Sequence, residues 1–108
     1  MTDPRAGGNA DEHHIFLVTF DLADPDGEAH ERLVEILESY PDHARLWPST
    51  WVIKSSGTAG DILEALDRHT SRPDRVFVAA IAGDCAWRNV ECDFGWLREN
   101  LEGVPREG

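Results

Sequence analysis

Two stretches of this chain are apolar at almost every position, and they limit the folds open to it more than any other feature. Ile15-Phe16-Leu17-Val18-Thr19-Phe20-Asp21-Leu22 and Val76-Phe77-Val78-Ala79-Ala80-Ile81 are rich in β-branched and aromatic residues and end in turn-forming residues. A strand apolar on both sides must be covered on both sides, so the pair is expected side by side at the centre of a sheet. The period of two sets Ile15, Leu17, Thr19 and Asp21 on one face and Phe16, Val18, Phe20 and Leu22 on the other. Asp21 thereby stands on a largely apolar row at the carboxyl end of its strand. A carboxylate there either serves the following turn, through Leu22 to Asp24, or does chemistry.

The intervening residues supply helices and a hairpin. Asp24-Pro25 reads as a helix entry, with Asp as N-cap and Pro at the first helical position. Ala29, Leu33, Ile36, Leu37 and Tyr40 follow at helical spacing until Pro41. Glu28, Glu31, Glu35 and Glu38 form an acidic stripe on the outer side, read as a solvated face. His43–Trp47 and Ser49–Ser55 are short strands joined at Pro48-Ser49, with Trp51 and Ile53 on one side of the second and Thr50, Val52 and Lys54 on the other. Thr58-Ala59-Gly60-Asp61 is a capping signature opening a second helix with Ala59, Ile62, Leu63 and Leu66 on its apolar face. Residues 84–92 read as irregular. Asp93 then caps a short helix carrying Phe94, Trp96, Leu97 and Leu101.

The expected order is strand, helix, strand, strand, helix, strand and a short C-terminal helix. That is the α+β, ferredoxin-like βαββαβ arrangement, with an antiparallel four-stranded sheet and two helices on one face. The division is a disordered leader over 1–13, one domain over 14–102 and a tail over 103–108. The sheet face without helices must be shielded by the C-terminal segment or by a second copy of the chain.

Charge restricts the partners. Asp plus Glu number 21 against 10 for Lys plus Arg, a formal net charge of −11, with Lys54 the only lysine. That field repels phosphate backbones and weakens any affinity for nucleic acid; an acidic, lysine-poor surface also suits high salt. No apolar run is long enough for a membrane span and no signal peptide is visible, so the expected address is cytoplasmic, with no membrane partner.

Few residue patterns carry chemistry. There is no glycine-rich phosphate loop, paired metal-binding histidine motif or nucleophile elbow. Cys85 and Cys92 are too few for a disulfide framework and lack zinc spacing, and read as bystander thiols. His30, His43 and His69 lie on polar segments as surface residues. Asp11, Glu12, His13 and His14 carry metal-donor groups on a flexible leader, which rarely makes a preformed site. Among four tryptophans, Trp51, Trp87 and Trp96 are expected as core or dimer anchors rather than base-stacking platforms, which require interleaved basic residues. Asp21 is left as the catalytic and metal-ligating candidate: a strand-end carboxylate can hold a divalent metal, and a two-fold axis could supply a second one.

Val18-Thr19-Phe20-Asp21-Leu22, the helix after it, Ser49-Thr50-Trp51-Val52-Ile53-Lys54 and Asp74-Arg75-Val76-Phe77-Val78-Ala79 together resemble the small CRISPR-associated subunit of the spacer-acquisition complex. The likeness runs in order and spacing over roughly residues 14–101 and is closest to an outlying branch of that ferredoxin-like endoribonuclease family. The resemblance implies a homodimer. It also implies a metal-dependent nuclease that uses Mg²⁺ or Mn²⁺ at the strand-end Asp, here Asp21, with Ser49 and Thr50 as neighbouring polar contacts. In the acquisition complex the same subunit is a non-catalytic scaffold, so a protein-interaction module is the alternative. Typical members are basic where this chain carries Glu28, Glu31, Glu35 and Glu38, and their serine-aromatic step is only loosely matched by Ser49-Thr50-Trp51.

Overall fold

A computed structural model describes residues 13–82, 84–91, 94–100 and 102–105. In chain order these form β1 (His14–Asp21), α1 (Glu28–Glu38), β2 (His43–Trp47), β3 (Thr50–Ser55), α2 (Ala59–Asp67), β4 (Arg75–Ile81), β5 (Asp84–Trp87), α3 (Phe94–Asn100) and β6 (Glu102–Pro105). The fold is α+β. Its main sheet has four antiparallel strands in the order β2-β3-β1-β4, an arrangement compatible with a ferredoxin-like fold. The leader expected over 1–13 lies, except for His13, outside the described residues.

The two faces of β1 fall as the period of two requires. Phe16, Val18, Phe20 and Leu22 join Trp51 and Ile53 beneath Leu33 and Leu37 of α1 and Ile62 and Leu66 of α2. Full burial of each such aliphatic side chain contributes about 1.5–3 kcal/mol. The exposed Arg32–Glu28, Arg32–Glu35 and Arg68–Glu64 pairs contribute about 0–1 kcal/mol each, so the apolar layer decides stability. Glu28 and Glu35 are bridged by Arg32, and the stripe they share with Glu31 and Glu38 is exposed.

The opposite face is covered by the C-terminal segment. Ile15, Ala44 and Val52 are buried with Trp87 and Leu97, and Leu17, Leu46, Ile81, Cys85, Val90 and Trp96 pack around them. A backbone bond from Glu91 N–H to the Leu46 carbonyl (2.9 Å) ties this segment to β2. Trp51 in the helix-covered layer and Trp87 in this one are core anchors, at 2% and 8% exposure, and Trp96 is half-buried against the Trp87 cluster.

Four local expectations are corrected. Asp24 does not cap α1. Asp24-Pro25-Asp26-Gly27 is a turn, closed by Gly27 N–H on the Asp24 carbonyl (3.1 Å) and Asp26 N–H on Asp24 Oδ1 (3.3 Å), and Gly27 is the N-cap. A Cβ at Gly27 would run into the Asp24 side chain, which explains the glycine. Second, β4 adjoins β1 but is an edge strand, and none of its residues is fully buried. Third, residues 84–87, read as irregular, and 102–105, read mostly as tail, pair in parallel as β5 and β6. Fourth, His30 and His43 are half-buried. His30 lies edge-on to Phe20, and His43 Nδ1 donates to the Tyr40 carbonyl at 2.7 Å. The cap expected at Thr58 is present as a reciprocal box, with Asp61 N–H on Thr58 Oγ1 (3.1 Å) and Thr58 N–H on Asp61 Oδ2 (3.0 Å). Asp93, Cys92 and Leu101 lie outside the described residues.

Candidate functional site at the end of the first strand

The carboxyl end of β1 meets the start of β4, because Asp21 is the register partner of Arg75. One residue holds the two incoming loops together. Asp74 accepts Ala23 N–H on Oδ1 (2.9 Å) and Ser71 N–H on Oδ2 (2.7 Å), clasping the loop after β1 to the loop before β4. These two backbone bonds hold its carboxyl below the usual carboxylate range. The turn after β1 is thus served by Asp24 and Asp74, the role considered for Asp21.

Asp21 itself points to water. Its carboxylate is 3.7 Å from the Arg75 guanidinium, and both side chains are strongly exposed. The apolar row of Ile15, Leu17 and Thr19 therefore runs beyond its cover at Asp21, which removes the conflict that the sequence posed. Thr19 and Thr50 link their hydroxyls across the strands at 2.9 Å, and Thr50 is buried. Ser49 is half-buried, and its carbonyl accepts Phe20 N–H at 3.0 Å.

An open cavity of about 350 Å³ adjoins this end, with Asp21, Asp26, His30 and Ser49 in its wall. Asp21 and Ser49 share this wall, and Thr50 is not part of it. Sequence reading missed Asp26 and His30. Asp26 sits in a turn mistaken for a helix start, and His30 is read as a surface residue from its polar neighbours although it packs on Phe20. Asp21, Asp26 and His30 offer oxygen and imidazole donors. Even so, no group of three or more His, Cys, Asp or Glu among the described residues is close enough to hold a metal ion.

On the other side of the same strand ends, Thr19, Arg75 and Phe77 line a shallow surface that also includes Asp21. Phe77 is 59% exposed, and Trp47 (48%) and Leu63 (40%) are also exposed elsewhere on the surface. Among the described residues, no helix is long and apolar enough to cross a membrane. No family model, curated protein or solved structure matches this chain.

Proposed function

We propose that this chain is a homodimeric interaction module of ferredoxin-like architecture, non-catalytic and cytoplasmic. This corresponds to the scaffold role implied by its resemblance to the CRISPR acquisition subunit. The observation that carries the reading is Phe77. It stands largely exposed on an edge strand whose residues 76–81 are all apolar. Edge strands are ordinarily blunted by charge, proline or a bulge, and Val76–Ile81 has no charge or proline. Antiparallel pairing of two β4 strands about a two-fold axis joins two four-stranded sheets and covers both Phe77 side chains on one continuous face. The acidic surface, with net charge −11, favours a protein partner over nucleic acid.

A second reading, a metal-dependent phosphodiesterase cleaving RNA or DNA, is favoured by the cavity that gathers Asp21, Asp26, His30 and Ser49. It needs Asp21 from two copies around one Mg²⁺ or Mn²⁺. The two readings require different dimers. Edge pairing through β4 leaves the two Asp21 strands three strand spacings apart, about 14 Å. One ion with its waters bridges carboxylates only within about 10 Å. An RNA and DNA cleavage assay with each metal separates them. The module predicts no metal-dependent cleavage, whereas cleavage by the wild type that is lost in Asp21→Asn establishes the enzyme.

A further inference from the structure

An open cavity of about 240 Å³ lies between the main sheet and its C-terminal cover. One wall is the sheet itself, with Leu17 of β1, Leu46 of β2, Val52 of β3 and Ile81 of β4, one side chain from each strand. The other is the C-terminal layer, with Cys85 and Trp87 of β5 and Leu97 of α3. Val52, Trp87 and Leu97 are buried, whereas Leu17, Leu46, Ile81 and Cys85 are half-buried. The space therefore sits inside the second core cluster and still reaches solvent. Core side chains normally interdigitate with few gaps larger than a water molecule. Here two apolar layers meet without filling the room between them, and the lining atoms lack the dispersion contacts of a packed core.

The chemistry of the wall defines the class of occupant. Among the described residues it contains no charged side chain, hydroxyl or amide. The Trp87 indole nitrogen is closed to solvent, which leaves the Cys85 thiol, a weak donor, as the wall's polar side-chain group. A charged or strongly polar ligand would lose its water here and gain no partner. Size sets a second limit. An apolar cavity of about 150 Å³ takes up benzene, so this one accommodates one or two rings. A polarisable sulfur and an indole ring in the same wall favour an aromatic occupant, through sulfur–ring and ring–ring contacts. We propose that this cavity binds a neutral aromatic molecule of one or two fused rings. The bound molecule bridges the sheet and the C-terminal layer and holds β5 and α3 against the strands. Neither Phe77 nor Asp21 lines the cavity, so the site stands apart from both the dimer and the phosphodiesterase readings.

Naphthalene is a suitable probe. NMR titration should move the indole ¹H–¹⁵N resonance of Trp87, assigned by its loss in Trp87→Phe. It should also slow amide exchange across Phe94–Asn100 while α1 and α2 keep their rates. 1-Naphthoate, the same rings with a carboxylate, should bind at least about tenfold more weakly, because its charge has no partner in the wall. Leu17→Trp fills the cavity from β1 and should abolish naphthalene binding, with the dispersion of the remaining spectrum confirming its fold. Ile81→Phe fills it from β4 with a smaller intrusion and should do the same. Leu63→Trp, on the exposed surface of α2, should bind as the wild type does. A Trp87 resonance unmoved by naphthalene, exchange in α3 unchanged on binding, or naphthoate binding as tightly as naphthalene overturns the proposal. So does naphthalene binding retained in a folded Leu17→Trp or Ile81→Phe variant, or shifts that follow the exposed Trp47 and Phe77 instead of the cavity wall.

Discussion

The two faces of this sheet are closed by unlike means. One lies under α1 and α2, helices inserted between the strands, and is sealed from Phe16 to Leu22. The other is covered by a C-terminal layer, β5 and α3, which shields Ile15, Val52 and Ala44 but leaves Asp21, Arg75 and Phe77 in water. A face built into the chain order is covered along its length. A face covered by an appendage is covered only as far as the appendage reaches, and the remainder stays open to solvent.

Substitutions test that contrast. Leu33→Ala, at a fully buried site under α1, should lower global stability by about 2–5 kcal/mol in urea melts, with both faces lost together. Leu97 is as deeply buried, but in a layer that follows the four strands of the main sheet in the chain. Leu97→Ala should lower global stability less and speed amide exchange in α3 while α1 and α2 keep their protection. Uniform loss of protection in that variant would mean that the two layers are one cooperative unit.

Smaller effects belong to the uncovered end. Asp74 has its carboxyl held below the ordinary Asp value, near 3.9, by the Ser71 N–H and, after it, the Ala23 N–H. A depressed folded value contributes stability that is complete above the unfolded value and is lost as pH falls through the folded one. Denaturant midpoints measured between pH 2 and 6 should therefore show a shallower acid decline in Asp74→Asn than in wild type. Asp21→Asn should change stability by no more than about 1 kcal/mol, as expected for an exposed ion pair.

Much of the architecture was legible because it is periodic. The alternation of Ile15–Leu22, the helical repeat through Leu33 and Leu37, the hairpin at Pro48-Ser49 and the Thr58 capping box are local patterns, and each forms the expected element. β5 and β6 were not legible. Asp-Cys-Ala-Trp and Glu-Gly-Val-Pro have no alternation, and their parallel pairing is a long-range contact rather than a sequence pattern. Asp24-Pro25 misled because a helix N-cap and an Asx turn use the same residues for the same hydrogen-bonding reason. At the candidate site, Asp21 could be named from its strand position. The company of Asp26 and His30 depends on how the turn folds back, and the clasp by Asp74 joins loops some fifty residues apart.

The central claim is that the uncovered edge at Phe77 joins two copies. Sedimentation equilibrium of the wild type and Phe77→Asp tests it most directly. The wild type should have twice the 12.1 kDa chain mass, and Phe77→Asp, with an unchanged circular dichroism spectrum, should have the chain mass alone. A wild-type monomer at all concentrations, or a dimer that survives Phe77→Asp, would contradict the account.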